Sequence, residues 1–381
     1  METKEPKYPI YLDYCGTTPV ALEVLDAMLP YFTSKFGNAS STQHLFGLEA
    51  EIDLNRSISQ IASNLHVAAK NIVITSGATE AINLAIRGLY SKYRTNGNHI
   101  ITVKTEHKAV LETCNYLENI GADVTYLDVD EKGLIDILEL KDQIRDETIL
   151  TAIMFANNET GVIQDVESIG KVLRQSRSFF FCDATQAVGL YDINVERIGI
   201  DLLCMSAHKM YGPKGLGALY INKGIQMEPQ ILGGGHQNGL RAGTVNVPGV
   251  IGFAKACEMA IRTRGTEYKR LKVLRDKFES ELLSTGKVKV NGDYSQRLPH
   301  VSNLCFIGMQ ADHIMLSLRN KIAVSNGSAC NSNIMNPSHV LTAMGLDVTE
   351  SNSSIRFCFG LNTTLDDIVE VIGFLRKMIQ E

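Results

Sequence analysis

Ser178-Phe179-Phe180-Phe181-Cys182-Asp183-Ala184-Thr185-Gln186 and, further along, Asp201-Leu202-Leu203-Cys204-Met205-Ser206-Ala207-His208-Lys209 follow one pattern. In each, a short apolar run of strand length breaks into a polar group that opens a turn. Similar runs occupy residues 71–75, 99–103, 123–127, 149–155 and 217–221. They are continuous rather than alternating, as in strands covered on both faces. Helical patterns lie between them; Ile82, Ile86, Leu89 and Tyr93, for example, share one helix face. Strand and helix in turn predict an α/β fold with a mainly parallel sheet flanked by helices. The pattern leaves strand order open.

The last third reads differently. From about Arg262 to Leu283 the sequence is charged and helical, with Leu271, Leu274, Phe278 and Leu282 on one stripe. Shorter strand-like runs follow at 287–290, 303–307 and 354–359, and an amphipathic helix starts near Leu365. A chain of 381 residues exceeds what one core usually organises. The expectation is a large domain over 15–261 and a smaller α/β domain built from 1–14 and 262–381, joined by a helix.

Composition bounds the function. With 37 Lys+Arg against 42 Asp+Glu the net charge is −5, and there is no basic run to bind nucleic acid directly. No apolar stretch approaches membrane-spanning length, and the charged start lacks the apolar centre of a secretory signal. A cytoplasmic enzyme is expected. The eight cysteines include no Cys-x-x-Cys; the closest two are 22 residues apart, so no metal site is expected. Cys182 and Cys204 sit in apolar runs and read as buried thiols. Cys330 differs: Ser325-Asn326-Gly327-Ser328-Ala329-Cys330-Asn331-Ser332-Asn333 reads as an exposed loop where a thiol can meet reactants.

Just beyond the strands stand Ser76-Gly77-Ala78-Thr79-Glu80, Thr105-Glu106-His107, Asn157-Asn158-Glu159-Thr160-Gly161, Asp183-Ala184-Thr185-Gln186 and Ser206-Ala207-His208-Lys209. Parallel sheets bind ligands at the carboxyl ends of their strands. Residues 76–79, with free N–H groups and hydroxyls at a helix start, suit a phosphate without forming a P-loop or a Gly-x-Gly-x-x-Gly motif. Asp183 can pair with a protonated ring nitrogen, and a desolvated Lys209 can form a Schiff base. Each feature alone reads as a cap, an ion pair or a surface lysine. Together they describe a pyridoxal phosphate site.

These residues also carry a resemblance. Tyr11-Leu12-Asp13, Phe36-Gly37-Asn38, Ser76–Glu80, Thr105–His107, Asn157–Gly161, Asp183–Gln186, Ser206–Gly215, Arg241–Thr244, Gly327–Ser332 and Ser354-Ile355-Arg356 resemble, nearly end to end, the group I cysteine desulfurases. These belong to the class V aminotransferase-like, fold-type I pyridoxal phosphate enzymes. The resemblance implies removal of sulfur from L-cysteine, giving alanine and a persulfide on Cys330 that passes to a protein acceptor. It implies that Lys209 holds the cofactor and moves the Cα proton, and that His107 stacks on the ring and assists. Asp183 is implied to pair with the ring N–H and Gln186 to bond the ring hydroxyl. Ala78, Thr79, Ser206 and His208 would surround the phosphate, joined by Thr244 from the partner of a homodimer. Asn38, Asn158 and Arg356 would hold the substrate carboxylate, with Asn158 also against the cofactor.

The chain departs from the family pattern at Tyr14-Cys15-Gly16 and at Gln237-Asn238, and neither departure removes a catalytic group. Housekeeping members extend beyond the position of Glu381 and use that tail to reach an iron–sulfur scaffold. This leaves open an acceptor in iron–sulfur assembly, nitrogenase maturation, tRNA thiolation or DNA phosphorothioation. The rival readings are a selenocysteine lyase, another class V aminotransferase-type enzyme, or a non-catalytic binding protein. An ordinary aminotransferase has no use for Cys330.

Overall fold

The computed structural model describes residues 9–327 and 337–380; Cys330 lies outside them. The strands, in chain order, are β1 (Ile10–Tyr11), β2 (Ile72–Thr75), β3 (His99–Val103), β4 (Asp123–Leu127), β5 (Thr148–Ala152), β6 (Phe179–Asp183), β7 (Leu202–Ser206), β8 (Gly217–Ile221), β9 (Val288–Val290), β10 (Val301–Phe306), β11 (Ile322–Ala323) and β12 (Ser354–Cys358). The seven-stranded sheet has the order β2-β8-β7-β6-β5-β3-β4. It is parallel except at β8, which runs antiparallel to both β2 and β7. The expected strands are all present, displaced by at most a few residues.

Why the runs are continuous is visible in the packing. Ile72, Ile74, Ile101, Val103, Phe180, Cys182, Leu203 and Met205 fill one side, under helices Leu45–Ser63 and Val247–Leu283. Val73, Ile100, Leu150, Phe181, Leu202, Cys204 and Leu219 fill the other, under helices Ala78–Tyr93 and Lys108–Glu118. Successive residues point to opposite faces and both faces are buried, so alternation disappears. A third core joins Leu12 with Leu271, Leu274, Phe278, Leu282, Phe306, Ile355, Phe357 and the last helix, Leu365–Gln380. The three-stranded sheet β12-β10-β9 lies in it, and β1 pairs with β11 alongside.

One helix begins earlier than its sequence pattern suggests. It runs 37 residues from Val247 to Leu283, not from Arg262. Its first part is apolar and small because Val250, Phe253, Ala254, Ala256 and Cys257 pack against the large sheet. Only beyond Arg262, where one face meets solvent, does the amphipathic stripe emerge. Pro248 is tolerated because it falls in the first turn, where a backbone N–H has no intrahelical partner.

Arg297 binds that helix to the turn carrying Asn158. Its guanidinium meets Glu279 through Nη1–Oε1 at 2.7 Å and Nη2–Oε2 at 2.5 Å, with both side chains at most 5% exposed. Its backbone bridges to Val162. Removing one partner of a buried pair leaves an uncompensated charge, at a cost of about 3–5 kcal/mol. Glu279→Ala should therefore lower the urea midpoint sharply. Replacing the pair together by Leu and Met should cost much less, as read from the same unfolding curves.

Candidate active site

Lys209 follows β7, in a short 3-10 turn, Ala207–Lys209. Its amine is held by the carbonyls of Cys15 and Gly16, at 2.5 and 2.7 Å. Those carbonyls come from the turn after β1, where Gly16 N–H and Thr17 N–H both reach back to Asp13 O. Burial lowers the Lys209 pKa, which favours the neutral, nucleophilic amine. Gln186 donates to the same Cys15 carbonyl at 3.2 Å, so Lys209 and Gln186 share one anchor.

Asp183 ends β6 and is buried. Its Oδ1 accepts from Thr185 N–H at 2.9 Å and from the Cys204 thiol at 3.2 Å. These bonds fix the carboxylate from behind. Burial lowers the His107 pKa, helped by Lys209 and opposed by Asp183, which favours the neutral ring. His107 caps helix Lys108–Glu118 by accepting the Ala109 N–H on Nδ1 at 3.1 Å, which leaves the proton on Nε2. Next to it, burial raises the Glu106 pKa well above the ordinary value, and its Oε2 has no partner.

The turn at 76–79 fits a phosphate. Helix Ala78–Tyr93 starts at Gly77 with no side-chain cap, and Gly77 adopts φ +156°, ψ −179°, a conformation essentially confined to glycine. Space beside Gly77 is open; a Cβ there would touch nothing within 4 Å. Behind it Gly217 at the start of β8 packs so close that its own Cβ would stand 2.6 Å from Gly77 Cα. Ala78 is half-buried and Thr79 exposed. Glu80, the nearest carboxylate, is turned away onto Ser76 N–H at 2.8 Å and Arg241 Nε at 2.9 Å. His208 Nδ1 lies 3.0 Å from Thr17 Oγ1, and burial with Lys209 and Lys214 lowers its pKa to about 4. Ser206 is buried and donates to Leu216 O at 3.3 Å. An uncapped helix start, a buried amine and a braced carboxylate at the ends of β2, β7 and β6 match the phosphate, aldehyde and ring nitrogen of pyridoxal phosphate.

Arg356 is 4% exposed on β12. It donates to Asn158 O at 2.9 Å and to Asp13 Oδ1 at 2.6 Å, and its Nε has no partner. Sequence reading found Arg356 but gave Asp13 no role. The two stand 343 residues apart and meet through a bridge between Asp13 and Cys358 that no local pattern encodes. Asn157, rather than Asn158, holds the turn: its Oδ1 accepts the N–H groups of Glu159 and Thr160, and its amide donates to Thr105 O at 2.9 Å.

Two expected residues sit apart. Asn38 lines a separate cavity with Ile72, Val73 and Gln237. Thr244 is exposed. Among the described residues no hydrogen bond joins either to Lys209. Gln237 pairs with both backbone groups of Ile74, at 2.6 and 2.9 Å, and so covers the free edge of β2. Glu159 was also missed. Ser338 donates to its Oε2 at 2.5 Å, and a Cβ at Gly327 would stand 2.7 Å from the same oxygen. Both described flanks of the segment that carries Cys330 therefore rest on one carboxylate. Among the described residues there is no cluster fit for a metal ion and no helix long and apolar enough to cross a membrane.

Known proteins share this fold and much of this sequence. The Aminotransferase class-V family matches residues 10–371. Cysteine desulfurase IscS of Histophilus somni strain 129Pt is 45% identical over 379 residues, covering 98% of this chain and 94% of that one. A solved NifS-like protein superposes with a TM-score of 0.91 at 34% identity, over 98% of both chains. A structure described as SspA in complex with cysteine reaches 0.81 at 36% identity, over 92% of this chain and 98% of that one. The chain thus belongs to the class V aminotransferase family, among its cysteine desulfurases: pyridoxal phosphate enzymes that take sulfur from L-cysteine.

Proposed function

We propose that Cys330 takes the sulfur of L-cysteine as a persulfide and passes it to a protein acceptor. The observation that carries this reading is the buried Lys209 amine, held by the Cys15 and Gly16 carbonyls at the end of the sheet that also bears Asp183. Ala78, Thr79, Ser206 and His208 would surround the phosphate, Asp183 the ring nitrogen, Gln186 the ring hydroxyl, and His107 the ring face. When bound, pyridoxal phosphate supplies an electron sink for the bond electrons released at the substrate Cα.

The protein's own groups do the rest. The Lys209 amine accepts the Cα proton and later returns a proton to the carbon fragment; burial lowers its pKa and so favours the neutral form that this needs. His107, neutral with its proton on Nε2, is placed to donate. The Arg356 fork, buried and braced by Asp13, receives the substrate carboxylate with the side chain of Asn158. The Cys330 thiolate attacks the substrate sulfur, the carbon–sulfur bond breaks with its electron pair on carbon, and alanine leaves after protonation. A loop suits a thiol that must visit both an enclosed site and an acceptor.

A cytoplasmic homodimer completes the reading. Leu25, Leu29, Phe32, Phe36, Phe46 and Leu48 are exposed apolar side chains on and between the first helices, with Phe36 stacked on Phe46, and such residues suit an interface. Their burial against a second copy would bring Asn38 and Thr244 toward the partner's site. The large domain (15–261) then supplies the cofactor pocket, and the small domain (1–14 and 262–381) carries Arg356 and Cys330.

Cys330→Ala should abolish release of alanine and sulfide from L-cysteine while the protein stays yellow with bound cofactor. Sulfide production at the parent rate would rule out a persulfide on Cys330. Arg356→Lys keeps the charge but loses the planar fork. Hydrogen bonds to charged groups contribute about 1.5–3 kcal/mol, so KM for L-cysteine should rise by about ten- to a hundredfold, measured as alanine release.

A further inference from the structure

Cys15, His300 and Cys358 form a buried cluster that this reaction does not use. Cys15 is 2% exposed, Cys358 0% and His300 7%. His300 Nε2 lies 3.6 Å from Cys15 Sγ, and Cys15 and Cys358 are close enough for each thiol to shift the other's ionisation. The cluster sits on the seam where the segment after β1 meets β12: Cys358 N–H donates to Leu12 O at 2.7 Å, and Phe359 N–H to His300 O at 2.9 Å. His300 Nδ1 is buried without a partner. His300 also lines, with Tyr14, Gln186, Lys209 and Tyr211, a cavity of about 230 Å³, ample for a molecule the size of water or hydrogen peroxide.

We infer that Cys15 and Cys358 are a redox modification site: a hydroperoxide closes them into a disulfide that pins the Cys15 carbonyl and hinders release of Lys209. The two thiols are prepared for opposite parts. Burial pushes Cys15 up, but Cys358, His300 and Arg356 outweigh it and bring the thiol well below its ordinary pKa. Burial and the neighbouring Cys15 push Cys358 well above. Other buried thiols lack such help; burial takes Cys114 and Cys257 to about 12.

The chemistry balances with one peroxide. The Cys15 thiolate attacks a peroxide oxygen and the O–O bond breaks. The departing hydroxide takes the proton that Cys15 gave up to His300 Nε2, leaving water and a sulfenic acid. Cys358 sulfur then attacks Cys15 sulfur, the S–O bond breaks, and the leaving hydroxide takes the Cys358 proton as a second water. Two thiols lose two electrons and the peroxide gains them. Because the Cys15 carbonyl is 2.5 Å from Lys209 Nζ, the new bond fixes the backbone that the lysine must leave during turnover.

The test uses the full-length, cofactor-loaded Cys330→Ser protein, which removes the exposed thiol. After hydrogen peroxide, alkylation and digestion without reductant, mass spectrometry should find the Cys15 and Cys358 peptides linked, and dithiothreitol should separate them. In the Cys330→Ser/Cys358→Ser protein, Cys15 should instead be trapped by dimedone as sulfenic acid. The absorbance change on adding L-cysteine should be several-fold slower in the linked protein and recover with dithiothreitol. Recovery of both cysteines as free alkylated thiols would overturn the site. Linkage without slowing would overturn its coupling to Lys209.

Discussion

A primary amine inside a protein gives up its hydration and needs polar partners in its place, and the structure is arranged around that need at Lys209. Two main-chain carbonyls replace water around Nζ. Backbone groups keep their dipoles at every pH, so they orient the amine without forcing it to stay protonated, as a carboxylate partner would. The supporting turn is held in place by its own bonds to Asp13 and by Thr18 N–H on His208 O at 3.0 Å. That contact ties the chain start to the residue before the lysine. The parallel sheet delivers the other half, since β6 and β7 are neighbours and Asp183 and Ser206 end them.

The same turn reaches across to β12. Asp13 pairs with Arg356 while Cys15, two residues on, supports Lys209, so one short turn positions both the guanidinium and the amine. Gly16 makes this possible: a Cβ there would stand 2.5 Å from Asp13 Oδ2 and push the carboxylate off Arg356. The chain's departure at Tyr14-Cys15-Gly16 thus falls in a turn constrained on several sides. Tyr14 fills the space beside Gly360, whose absent side chain admits the ring.

Local patterns announced the strands because both faces of the sheet are buried, and they announced the polar strand ends because turns there need small and polar residues in excess. Lys209, Asp183, His107 and the Gly77 turn were therefore legible. Contacts between distant segments were not. Asp13 with Arg356, Glu159 with Ser338, and Gln237 with the edge of β2 depend on tertiary register, which a single sequence does not write. The start of helix Val247–Leu283 escaped for a different reason: a segment buried all round carries no helical stripe.

The thiols show how environment, rather than residue type, selects a nucleophile. Cys114, Cys182, Cys204 and Cys257 lie in the cores beside the sheet, and burial raises every one of their pKa values. In that state they pack as small hydrophobes, and Cys204 spends its proton bracing Asp183. None can reach a substrate or an acceptor without unfolding the sheet. Cys15 is ionisable but sealed, so it can exchange electrons with small oxidants and no sulfur with a protein. A thiol that both receives sulfur and delivers it has to lie outside these cores, and the sequence sets Cys330 among the small and polar residues between Gly327 and Ser338.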